Sequence, residues 1–151
     1  EDAGLFVDPL DGFPGIYSSY AFKTIGFQGL LRLLNHLQSE DPVQAASLRS
    51  ASFQAVAALW DGNNIILGKG ACPGSISTTS KGEEGFGFDP IFIPRDLDDL
   101  GQPLPSGSYG VMSTHGATFG SISLEIKQKF SHRRRALDHL VTQLSGDSQD
   151  L

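Results

Sequence analysis

The sequence is poor in cysteine, in positive charge and in long apolar runs, and each shortage excludes something. Its 151 residues contain one cysteine, Cys72. One thiol cannot close an internal disulfide, so no covalent staple supports the fold and a reducing compartment, the cytoplasm, fits. No apolar run approaches the roughly 18 residues of a membrane-crossing helix, so no membrane partner is expected. Eleven Lys and Arg stand against 17 Asp and Glu, for a formal net charge of -6. That balance argues against nucleic acid as a partner, although five of the 11 basic residues fall between Lys127 and Arg135. His36, His115 and His139 have no Cys or His partner at zinc spacing. Neither a Walker loop, a dinucleotide fingerprint nor a nucleophile elbow occurs. The chain opens Glu1-Asp2-Ala3-Gly4 and its only Met is Met112, so an upstream segment is expected.

What remains is the content of one compact domain of 16.1 kDa, expected over 1–146 with a fraying tail at 147–151. Leu5, Phe6 and Val7 read as a strand stopped by Asp8-Pro9-Leu10-Asp11-Gly12. Ser18 to Gln38 carries a helical period that Gly26 and Gly29 divide. Phe53, Ala55, Ala57 and Leu59 share one face of a strand. Asp61-Gly62-Asn63-Asn64 reads as a hairpin turn, and Ile65 to Leu67 as the start of the returning strand. A Ser, Thr and Gly-rich loop from Ser75 to Gly87 feeds a short strand at Pro90–Ile93. Residues 95–117 read as a surface insertion. Two helices follow, Ser121 to Phe130 and Ser131 to Leu144, the second with Ser131 as N-cap and Ala136, Leu137, Leu140, Val141 and Leu144 as its buried face.

Three groups of residues could carry chemistry. At about 100° per residue, Arg133 falls at the centre of the face defined by Leu137, Leu140 and Leu144, and therefore points inward, while Arg135 points to solvent. Three arginines in a first helical turn repel one another and oppose the helix dipole, which an anion would relieve. The plainer alternative pairs Arg134 with Asp138 and gives Arg133 a buried carboxylate. Glu1-Asp2, at the mouth of a strand, could hold Mg²⁺ and activate water, although acids beside strands are usually just solvated. In Gly85-Phe86-Gly87-Phe88-Asp89 a ring flanked by glycines can stack on a base and Asp89 can accept a ring N–H, whereas Phe88 alone reads as core. Lys127 sits where it could reach the same anion as His132.

Glu1-Asp2-Ala3-Gly4-Leu5, Gly12-Phe13-Pro14-Gly15-Ile16-Tyr17-Ser18, Gly85 to Phe92, and Lys127 with Ser131-His132-Arg133 together resemble, in this order, the inosine triphosphate pyrophosphatase family. The wording from Tyr20 to Gly26 is most similar to archaeal-type members. The resemblance implies an α/β fold with a mixed β-sheet and flanking helices forming two lobes around a cleft. It implies Mg²⁺-dependent hydrolysis of non-standard purine nucleoside triphosphates (ITP, XTP and dITP) to the monophosphate and pyrophosphate, by a homodimer. Asp2 would be the catalytic base, with Asp2 and Glu1 at the metal. Ala3, Phe86, Gly87, Phe88, Asp89, Lys127, His132 and Arg133 would bind substrate.

A 6-oxo purine offers an acceptor at position 6 and an N1–H donor, which Arg133 or His132 and Asp89 would match. Adenine reverses both groups and would leave buried partners unpaired. The chain also departs from the family. It lacks the first strand and the Ser/Thr-x-Asn-x-x-Lys phosphate loop, has Thr118-Phe119-Gly120-Ser121 where Thr-x-Ala-Glu is usual, and has Gln128 where Asn is usual. An N-terminally truncated member is therefore expected. The alternative reading is a non-catalytic nucleotide-binding or assembly module.

Overall fold

The computed structural model describes residues 1–147, and the expected fraying tail lies outside the described residues from 148 onward. Four strands, β1 (Asp2–Val7), β2 (Ser50–Trp60), β3 (Ile65–Ile76) and β4 (Phe92–Pro94), form one sheet in the order β1-β2-β3-β4. The expected α/β architecture with flanking helices is present. Every strand pairing is antiparallel, which corrects the expected mixed sheet for this chain. The reason is connectivity: β2 and β3 join through a tight turn, and no helical crossover links neighbouring strands in parallel. Asp61 fixes that turn, its Oδ1 accepting from the N–H groups of Asn63 and Asn64 at 2.8 and 2.7 Å.

Among the described residues five α-helices flank the sheet: α1 (Ser18–Thr24), α2 (Gly26–Leu33), α3 (Pro42–Leu48), α4 (Leu124–Phe130) and α5 (His132–Asp147). The helical run after Ser18 breaks at Ile25, directly before Gly26, one of the two glycines expected to divide it, while the other, Gly29, lies within α2. Phe53, Ala55, Ala57 and Cys72 face one side of the hairpin and are buried, because the two-residue period of a strand sends them together. Phe53 and Cys72 join Val7, Leu30, Leu34, Phe92, Phe119 and Phe130 in the larger core, and Ala55 and Ala57 join Ala136 and Leu140 in a smaller one. The segment 95–117 is cross-linked by bridges from Leu97 to Pro103 and Met112, and sends Leu97 into that core.

Helix α5 lies on the hairpin through a stripe of His132, Ala136 and Leu140, spaced four residues apart. Leu137 and Val141, expected in the buried face, are 50% and 59% exposed. The correction has a steric origin. A Cβ at Gly68 would strike the carbonyl of Ala136 and one at Gly70 the carbonyl of His132, so the helix settles by its smallest side chain into a glycine groove. Leucine spacing did not choose the face. Arg135, expected in solvent, is drawn into contact by the same rotation and donates to the Gly101 carbonyl at 2.9 Å.

Both strand edges beside this helix are closed by side chains. On β1, Ser18 Oγ accepts from Leu5 N at 2.8 Å. On β3, His139 Nδ1 accepts from Lys69 N at 2.9 Å and Gln143 donates to the Leu67 carbonyl at 2.7 Å. Each bond satisfies an edge group that would otherwise be open to another strand.

Candidate active site

A cleft of about 370 Å³ opens between β1, α1, the 85–89 loop and the start of α5. All eight residues expected to bind substrate line it: Ala3, Phe86, Gly87, Phe88, Asp89, Lys127, His132 and Arg133. Ser18, Ser19, Phe22 and Phe53 line it too and were not anticipated. Ser18 and Phe22 are one helical turn apart, the only local sign that α1 turns this face to a shared space.

Asp89 organises the loop. Its Oδ2 accepts from Phe86 N at 3.0 Å and from Lys127 Nζ at 2.6 Å. The acid is 3% and the lysine 9% exposed, so the pair is a buried, charge-assisted clasp between the loop and α4. Gly85 is required here because a Cβ at that position would collide with Asp89 Oδ2. Asp89 Oδ1 has no hydrogen-bond partner among the described residues, which leaves an acceptor for a ligand N–H. Lys127, expected to reach an anion at the N-terminus of α5, takes Asp89 as its anion.

Phe86 is exposed and Phe88 buried, as their separate roles required. Phe88 makes an edge contact with Phe22 at 5.5 Å between centroids. Lys127 Nζ lies 4.7 Å and Arg133 Cζ 5.0 Å from the centre of the Phe86 ring, within cation–π range. Arg133 stands at the rim of the cleft, not at the centre of the buried face of α5, and its Nε meets Glu1 Oε1 at 2.9 Å. That carboxylate is half-exposed, not buried. Arg134 lies 4.0 Å from Asp138 in an exposed pair that contributes little.

His132 is the perturbed group. It stacks on Phe53 with centroids 5.0 Å apart, and its buried Nδ1 has no partner. Burial, reinforced by the charges of Arg133 and Lys127, pushes its pKa down to about 4, so the ring is neutral near pH 7. A neutral imidazole can donate to or accept from a ligand atom.

Glu1 and Asp2 do not converge. Ala3 packs with Ala55 and Ala136, so strand alternation places Asp2 on the opposite face of β1, the face of Gly4. Asp2 is exposed and holds no ion pair or hydrogen bond among the described residues. Among the described residues no three His, Cys, Asp or Glu side chains gather as a metal cage.

An α/β domain whose cleft is walled by Phe22, Phe53 and Phe86, with one free carboxylate oxygen and two cations above a ring, is built for a flat, polar-edged ligand. The chain belongs to the Ham1 family, whose model matches residues 1–143. It is 42% identical over 137 residues to a dITP/XTP pyrophosphatase of Thermococcus kodakarensis, covering 91% of this chain and 59% of that protein. It is 37% identical over 148 residues to a dITP/XTP pyrophosphatase of Ignicoccus hospitalis, covering 97% and 64%. Among solved structures it resembles a HAM1 protein from Coxiella burnetii, with a TM-score of 0.68, 29% identity and coverage of 96% of this chain and 65% of that one. The Staphylococcus aureus Ham1 protein gives 0.67 at 32% identity, with coverage of 97% and 65%. The chain thus spans about three fifths of the length of these curated relatives.

Proposed function

We propose that the chain hydrolyses non-standard purine nucleoside triphosphates, dITP, XTP and ITP, to the monophosphate and pyrophosphate. The observation that carries this reading is Asp89, clamped through Oδ2 with Oδ1 free, in the same cleft as the donors Arg133 and His132. A 6-oxo purine stacked on Phe86 gives its N1–H to Asp89 Oδ1 and receives a hydrogen bond at O6 from Arg133 or His132. Adenine presents an acceptor to the buried carboxylate and an amino group to Arg133 at the rim, and neither pairs. Lys127 holds Asp89 in place, so the acceptor is set before substrate arrives.

Asp2 is the base, its free carboxylate taking a proton from the attacking water as the bond to pyrophosphate breaks. The donor set fits Mg²⁺, a hard cation bound through one or two carboxylates together with substrate phosphates rather than by a protein cage. Asp2, whose carboxylate is unengaged, would hold it, since Glu1 does not converge on Asp2 and is paired with Arg133. Bound there, the ion would supply charge neutralisation on the phosphates. Family resemblance alone supports the remaining parts of the proposal, a single pyrophosphatase domain over 1–146 acting in the cytoplasm as a homodimer. Among the described residues no helix is long and apolar enough to cross a membrane.

The test is pyrophosphate release from dITP, XTP, ITP and dATP with Mg²⁺. The 6-oxo substrates should be cleaved and dATP spared, and equal turnover of dATP would overturn the reading. Asp2→Asn should abolish release while nucleotide affinity, read by equilibrium titration, changes little.

A further inference from the structure

A second cavity, of about 320 Å³, lies against the β3–β4 ladder and shares no lining residue with the cleft. Its floor includes Gly74 and Ile93, and Pro42 and Val43 of α3 form an apolar wall. The residue of interest is Arg95, which follows β4 directly. Its backbone N–H donates to the Pro73 carbonyl at 3.0 Å, so its position is set by the sheet. Its side-chain Nε is buried without a partner. Among the described residues the guanidinium makes no hydrogen bond or ion pair.

The neighbouring carboxylate does not answer it. Asp96 is committed to its own loop, Oδ2 accepting from Gly110 N at 3.0 Å and Oδ1 from Ser113 Oγ at 2.8 Å. Arg95 as a whole is half-buried, but its Nε is shut from solvent with no acceptor, and an unpaired buried donor is costly, which an acceptor from outside would relieve. Ser106 and Ser108, on the turn that faces the same cavity, carry hydroxyls engaged in no side-chain hydrogen bond among the described residues. A guanidinium fork suits carboxylate and phosphate alike, and two hydroxyls lining the same cavity add donors for the further oxygens that a phosphate has and a carboxylate lacks. The cavity exceeds inorganic phosphate and falls within the size of ordinary small-molecule sites, about 300–1,000 Å³.

We propose that this cavity is a second binding site, separate from the cleft, for a small phosphate-bearing molecule, with Arg95 on the phosphate, Ser106 and Ser108 as further donors, and Pro42 and Val43 against its body. The site does not depend on the reading of the cleft. The experiment is calorimetric titration of the chain with inorganic phosphate, pyrophosphate and inosine monophosphate, repeated in Arg95→Met, Arg133→Ala and Ser106→Asp. At least one probe should bind Arg133→Ala undiminished and bind Arg95→Met at least tenfold more weakly. Preference for the monophosphate over both inorganic probes identifies a nucleotide-type ligand, and the reverse an inorganic anion. Ser106→Asp puts a carboxylate into the cavity that Arg95 lines, and should abolish that binding while raising the melting temperature. If Arg95→Met fails to fold, the Ser106→Asp result decides alone. Unchanged binding in Ser106→Asp, equal affinity in folded Arg95→Met, or loss of all binding in Arg133→Ala would overturn the proposal.

Discussion

Arg49 and Lys127 are both buried cations, and the difference between their partners separates architecture from chemistry. Arg49, 2% exposed, spends its guanidinium on carbonyls, with Nε to Ile76 at 2.8 Å, Nη1 to Leu34 at 2.6 Å and to Leu37 at 3.1 Å, and Nη2 to Ser77 at 2.8 Å. It ties the end of α2 to the end of β3, and nothing in its surroundings is left over. Lys127 is bound to one carboxylate oxygen and lies over two rings, and its partner keeps a second oxygen free in a cleft. A buried charge points to function when the group that neutralises it still has capacity to spare.

The largest expected effect breaks the structural side of this pair. Arg49→Met takes its donors from four carbonyls, of which Leu34 O still has Leu37 N, and should cost about 4 kcal/mol in urea unfolding, with base discrimination unchanged in the folded fraction. A changed ratio of dITP to dATP turnover would put Arg49 in the site after all. Next, Lys127→Met leaves Asp89 uncompensated and should cost about 3 kcal/mol. Adding Asp89→Asn should restore much of that stability and none of the preference for 6-oxo purines. If stability and preference recover together, the clasp is architectural like Arg49.

His132 sharpens the contrast through pH. Its folded pKa of about 4 lies below the ordinary value of 6.5, so as pH falls the unfolded chain takes the proton first. Stability is therefore full above about pH 6.5 and declines toward pH 4, by about 3 kcal/mol in all. Melting temperatures across that range should fall more steeply for the unsubstituted chain than for His132→Gln. Equal slopes would mean the ring is not held neutral. The smallest effect belongs to Phe86, whose exposed ring owes nothing to the core. Phe86→Leu should weaken nucleotide binding about tenfold, or about 1.4 kcal/mol, and move the melting temperature hardly at all.

These contrasts also explain what could be read in advance. The loop Gly85-Phe86-Gly87-Phe88-Asp89 was legible because each residue type has a local reason to be there, and all eight expected contacts do share one cleft. Arg49 was not, because Ser47-Leu48-Arg49-Ser50 is unremarkable locally and its four carbonyl partners come from distant segments. Helix α3 was passed over although Asp41-Pro42 is a start signal, with Asp41 Oδ1 accepting from Val43 N at 3.0 Å. The orientation of α5 was misjudged because a count of leucines weighs hydrophobic mass, whereas contact with Gly68 and Gly70 is decided by shape. The opposite faces of Glu1 and Asp2 follow from strand alternation, which adjacency in sequence conceals.

The glycine groove on β3 also acts as a depth gauge. His132 and Arg133 stand at the end of α5 that rests on Gly70, so the distance between two backbones, fixed by a missing methyl group, sets how far both side chains reach over the cleft. Gly70→Ala would push on the His132 carbonyl and thicken the wall between hairpin and helix from behind the cleft. The reach of two cleft side chains is thereby set partly by a strand that contributes nothing to the cleft lining.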